Sequence, residues 1–100
     1  MRALLGLVDG NPGLILYDER DQARAKLLVL ATGLAALSLH DERGKGQVLL
    51  DLDKKGASLA LRDKGDKVRA VLGMAADGRP ALGLFDEKGK VIWKAPPTEP

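Results

Sequence analysis

One phrase occurs four times in this chain, and its period constrains the fold more than any other feature. Asp18, Asp41, Asp63 and Asp86 follow one another at spacings of 23, 22 and 23 residues, inside the near-copies LILYDERDQARAKL, LSLHDERGKGQVLL, LALRDKGDKVRAVL and LGLFDEKGKVIW. Gly10, Gly33, Gly56 and Gly78 punctuate the copies at 23, 23 and 22. Self-similarity at this period marks one supersecondary unit used repeatedly, each unit covering apolar surface that its neighbour cannot cover alone. The chain therefore reads as one repetitive β domain, with a half-repeat at 1–12 and repeats near 13–33, 34–56, 57–78 and 79–97.

The opening RALLGLVDGNPG aligns with RAVLGMAADGRP, so that Arg2 meets Arg69, Leu5 meets Leu72 and Asp9 meets Asp77. The chain thus begins midway through a unit, which predicts either a piece of a longer array or a first strand that pairs elsewhere than with a preceding strand of its own. VIWKAPPTEP breaks the pattern with three prolines and reads as a terminus.

Within each unit apolar residues alternate, as at Leu59 and Leu61 before the turn and Val68, Ala70 and Leu72 after it. That is the period of a strand with one apolar face, so each repeat is expected to be a β-hairpin. The third residue after the key aspartate is Asp21, Gly44, Asp66 or Gly89. A type I turn followed by a left-handed residue needs positive φ there, which Gly and Asp supply at low steric cost. The repeated aspartate is then a turn-former that accepts hydrogen bonds from turn amides. A calcium loop needs several oxygen ligands at alternating positions, and DEKGK offers too few. The tip carboxylates are expected to be solvated and of ordinary acidity.

One face of the hairpins collects Leu14, Leu16, Leu37, Leu39, Leu59, Leu61, Leu82 and Leu84 from first strands with Leu5, Leu27, Val48, Leu50, Leu52, Val68 and Leu72 from second strands. The other face mixes Ile15, Tyr17, Leu28, Leu49, Val71, Phe85 and Ile92 with Ser38, His40, Arg62 and Arg69. An open meander would leave the leucine row in water, at about 25 cal/mol for each Å² of apolar surface, so the chain must close on itself or associate. Closure could give a small up-and-down barrel. Near-identical repeats favour instead stacked hairpins forming a β-prism or solenoid, shared between three chains of a homotrimer around one axis, which also removes exposed sheet edges. Trp93 falls where Ala70 stands in the preceding unit and is expected to cap the end of the core.

Chemistry-bearing constellations are few. The chain has 16 basic and 14 acidic residues interspersed along the turns, no cysteine, and only Tyr17, Phe85 and Trp93 as aromatics. That excludes a disulfide framework and thiol chemistry, and it disfavours nucleic acid, which calls for a basic stripe with stacking rings. No apolar run is long enough for a membrane span, so this fragment is not expected to insert in a membrane. Ser38 and His40 share a strand face, but neither an orienting acid nor an oxyanion hole accompanies them. No catalytic residue, cofactor-binding residue or metal ligand is nominated, and the chain is expected not to be an enzyme. The one binding candidate is a ladder of tip and strand cations, Arg24, Lys45, Lys67, Arg69 and Lys90, which could grip an extended polyanion.

The phrase L-x-L-x-D-x-x-G-K-x-R-A-x-L, clearest from Leu59 to Leu72, together with the ending Gly89 to Pro96, resembles tandem repeats at the C-terminal end of uncharacterised bacterial proteins. In those proteins the repeats often follow a hydrophobic anchor and a coiled coil, neither of which is present here. The resemblance spans nearly the whole chain. It implies an oligomeric module held away from a membrane, a cell-envelope setting for the parent protein, and no enzymatic activity. Tyr17-Asp18 also resembles the tyrosine-aspartate repeats of bacterial toxin shells, but His40, Arg62 and Phe85 replace the tyrosine in the other units.

Overall fold

The computed structural model describes residues 2–75 and 77–96; the terminal Pro97 and Pro100 of the sequence reading lie outside that range. Nine strands follow one another as β1 (Ala3–Val8), β2 (Asn11–Tyr17), β3 (Ala23–Val29), β4 (Ala35–His40), β5 (Gly46–Asp53), β6 (Gly56–Arg62), β7 (Val68–Met74), β8 (Pro80–Phe85) and β9 (Val91–Ala95). They form one sheet in sequence order, each strand antiparallel to the next. The sheet is open, with β1 and β9 at its two edges, so the barrel alternative is not the fold of the single chain.

The turns alternate between two ends of the sheet. At the aspartate end, Asp18, Asp41, Asp63 and Asp86 each donate their amide to a carbonyl four residues on, and the third residue after each donates back to the aspartate carbonyl. Positive φ falls on Asp21 (61°), Gly44 (85°), Asp66 (68°) and Gly89 (85°), the positions the repeat singles out. At the far end, Asp9 and Gly10 both have positive φ, giving a two-residue turn whose twist suits a hairpin.

Each aspartate-end hairpin carries a register shift one residue from its tip, between Leu16 and Tyr17, Leu39 and His40, Leu61 and Arg62, and Leu84 and Phe85. The unpaired residues on the returning strands are Arg24, Gln47, Arg69 and Ile92. A bulge reverses the facing of everything beyond it. This corrects one assignment: Val68 pairs with Arg62 and stands on the mixed face, whereas Ala70 pairs with Leu61 on the leucine face.

Cross-strand partners on the leucine face line up in three rows. The central row runs Leu5, Leu14, Leu27, Leu37, Leu50, Leu59, Leu72, Leu82, Ala95 across all nine strands. Nearer the aspartate tips lies Ala3, Leu16, Ala25, Leu39, Val48, Leu61, Ala70, Leu84, Trp93. Farther from them, alternation along the strands places Leu7, Pro12, Val29, Ala35, Leu52, Ala57, Met74 and Pro80.

None of the described residues packs over these rows. The molecule spans 54 × 29 × 14 Å, a single layer. Its radius of gyration is 15.7 Å, against about 13 Å for a compact domain of this length. Among the described residues the buried hydrophobic residue is Ile15, 6% exposed, and it lies on the mixed face. There Leu28 reaches over Gly13 and the Phe85 ring lies over Gly83, so large apolar groups of the mixed face fold down onto the sheet. The leucines opposite have no such shelter.

Candidate functional site

Two features stand out, a laced edge of hairpin tips and the uncovered leucine face. At the edge, Oδ1 of each key aspartate accepts two amides, from Arg20 and Gln22 at Asp18, Arg43 and Lys45 at Asp41, Gly65 and Lys67 at Asp63, and Lys88 and Lys90 at Asp86, all within 3.1 Å. The bulge residue returns to Oδ2 in the first three: Arg24 at 3.4 Å, Gln47 at 3.0 Å and Arg69 at 3.1 Å.

These contacts change the acidity expected of the tips. The Gln22 amide first, then that of Arg20 and the Arg24 guanidinium, hold Asp18 below its ordinary value against a partial loss of water. At Asp63 the Lys67 amide leads, with Arg69 and Gly65 behind it. At Asp41 the loss of water is the largest single influence and pushes upward, but the Lys45 and Arg43 amides and the Arg43 guanidinium together outweigh it. The expectation of ordinary acidity is thus corrected at these three tips, because a carboxylate accepting several N–H groups is stabilised in its charged form.

The cations of the proposed ladder lie along this edge. Arg24 donates Nε to the His40 carbonyl and Arg69 donates Nε to the Phe85 carbonyl, both at 2.7 Å, so each guanidinium ties its own tip to the next hairpin. Lys67 Nζ donates to the Glu87 carbonyl at 2.8 Å. Arg43, which sequence reasoning did not single out, reaches the Lys64 carbonyl at 2.7 Å in the same way. Lys45 and Lys90 give their amides to Asp41 and Asp86, and their side chains are exposed. Beside Lys67, a shallow depression is floored by Val68, Val71 and Phe85 and rimmed by Glu87 and Lys88.

Ser38 Oγ and His40 Nε2 are 2.8 Å apart, and His40 Nδ1 faces the Gly44 carbonyl at 3.4 Å. Asp41 spends its carboxylate on its own turn, not on the imidazole. Among the described residues no group of three His, Cys, Asp or Glu converges to hold a metal ion.

The leucine face is the larger feature. Apart from Val91 and Ile92, every large hydrophobic side chain that is well exposed stands on it, from Leu5 (82%) and Leu7 (72%) at one edge to Trp93 (52%) at the other. The chain's accessible surface is 7387 Å² for 10.6 kDa, whereas a compact monomer of that mass exposes about 5,500 Å². A protein–protein interface of standard size takes about 800 Å² from each partner. The excess is ample for one.

The geometry defines a class: a tandem-hairpin β protein whose single open sheet has one self-covered face and one bare apolar face. No protein-family model matches the chain, and no curated protein matches it.

Proposed function

We propose that this chain is a non-enzymatic structural and interaction module that works by assembling with copies of itself through the leucine face, three chains sharing one axis as a β-prism. The observation that carries this reading is the concentration of exposed leucine on one side of a one-layer sheet. A contiguous apolar surface of that extent marks an interface. On this reading the chain is the oligomeric end of a bacterial protein of the kind its repeats resemble, and the lateral bonds at the tips keep the sheet rigid. Light scattering coupled to size exclusion, over a range of concentrations, tests it. The expected result is a mass of three chains, and a monomer at every concentration would overturn the reading.

A second reading, a ligand- or polyanion-binding module, draws on the depression beside Lys67 and on the exposed Lys45 and Lys90. It predicts saturable binding of a polyanion such as heparin or polyphosphate, weakened by Lys67→Ala. Titration without saturation at low salt would dismiss it.

A further inference from the structure

The leucine face is not uniform, and its unevenness carries directional information. In the row near the tips the large residues stand on even strands, Leu16, Leu39, Leu61 and Leu84, and the smaller ones on β1, β3, β5 and β7. The far row has the opposite phase, with Leu7, Val29, Leu52 and Met74 on odd strands and Pro12, Ala35, Ala57 and Pro80 on even ones. Between them the central row is leucine on every strand from β1 to β8.

Two ways of closing copies around an axis can be compared against this pattern. An axis parallel to the strands sets each near row against the same row of its neighbour, with even strands facing even and odd facing odd. Leucine would then meet leucine and alanine meet alanine, leaving clashes beside voids, each of which a packed core penalises. An axis running across the strands brings the far row of one chain against the near row of the next, strand for strand. Val29 then meets Ala25, Leu52 meets Val48, and Leu39 meets Ala35, a larger group against a smaller one at each layer.

The central row indicates how many chains share that axis. In a triangular prism the sheets converge at the corners, where a large–small pair fits, and each sheet's middle points at the axis, where three leucines can fill the centre. In a two-sheet sandwich the spacing is constant across the interface, and leucine on leucine in the middle would hold the large–small flanks apart. A groove over Ala35 and Ala57, walled by Leu27, Leu37, Leu50 and Leu52, is already open on this face. It is the socket that an incoming Leu39 or Leu61 requires.

Resting on the self-association proposed above, we infer that three copies of this chain close around an axis running across the strands, so that every layer contains the same strand from each copy and Val29 of one chain lies against Ala25 of the next. Trp93 fits as the end of this stack, since it puts a large ring in a slot that alternation makes small.

The test uses the absence of native cysteine. Ala25 and Val29 lie on one strand four residues apart, about 13 Å, beyond the roughly 7 Å that a disulfide spans between Cα atoms. The double variant Ala25→Cys/Val29→Cys can therefore link only between chains. Mild oxidation should give a covalent trimer on a non-reducing gel, where either single variant gives no trimer. The pair Val48→Cys/Leu52→Cys provides the same reading should the first variant fail to fold by circular dichroism. The pair Ala25→Cys/Ala70→Cys should not link, because it joins β3 to β7 only if the axis runs along the strands. A three-chain mass in which that last pair links and the first two do not would overturn the axis while leaving self-association standing. A covalent dimer as the largest product, with a two-chain mass, would overturn the three-fold closure. A monomer by light scattering would overturn this inference and the self-association beneath it together.

Discussion

Glycine at the tips and aspartate at the tips do different work, and substitution separates them. A Cβ placed on Gly44 would meet nothing within 4 Å, so the residue is required only by its φ of +85°. Gly44→Val should therefore destabilise its hairpin by about 1–2 kcal/mol through the left-handed backbone alone, read as a lower urea midpoint at unchanged slope. The aspartates act through charge. The carboxyls of Asp18, Asp41 and Asp63 are held below the ordinary value of 3.8 in the folded chain, so the folded state favours their ionised form. Their contribution is complete well above pH 3.8 and is lost as pH falls through that value towards the depressed folded ones. The thermal midpoint should drop across this acidic window, and Asp63→Asn should make the drop shallower; an identical acid limb in the variant would remove Asp63 from the account.

At the scale of the hairpin, the bulge residue decides how firmly one repeat holds the next. Arg24 and Arg69 each bridge their own aspartate to the carbonyl preceding the next key aspartate. Gln47, in the equivalent slot, reaches Asp41 but is too short for the Arg62 carbonyl. Gln47→Arg should add that missing bond and stabilise the chain by about 0.5–1.5 kcal/mol, with slower amide exchange along β5 and β6. No change would mean that the bridging carbonyl is already well served by water. This slot also shows what a sequence conveys. The period, the hairpins, the order of the leucines and the positive-φ positions at the aspartate tips are legible, because each is written in residue types that few other conformations want, whereas the left-handed Asp9 of the first far-end turn is not. The bulges are not legible either: Val68, Ala70 and Leu72 alternate without interruption, so the sequence places Val68 on the leucine face although the extra residue Arg69 turns it to the other. The Arg43 and Lys67 bridges were hidden as well, since partners about twenty residues apart meet only once the strand register is known. The lowered pKa values of Asp18, Asp41 and Asp63 follow from amide and guanidinium contacts that residue identity alone does not supply.

For the whole molecule, the self-association proposed for the leucine face would make stability a matter of concentration. If the face is covered only by other copies, folding and assembly are one reaction, and the single chain retains a one-layer sheet with little apolar burial. For three chains, a tenfold rise in concentration should stabilise each by about 0.9 kcal/mol through mass action, which for 100 residues raises the thermal midpoint by roughly 5 °C. In the proposed three-chain prism, Leu61→Asp would place an unpaired carboxylate in each corner, opposite the small Ala57 slot, where among the described residues no cation stands in the near or far row to receive it. That variant should lose both the three-chain mass and the concentration dependence of its midpoint. Lys67→Ala, which gives up one bond to the Glu87 carbonyl at the exposed edge, should keep both. A midpoint independent of concentration in the unaltered chain, together with a Leu61→Asp variant as stable as the original, would mean that this sheet tolerates its leucines in water. The alternation of large and small residues across its nine strands would then have no packing role to explain it.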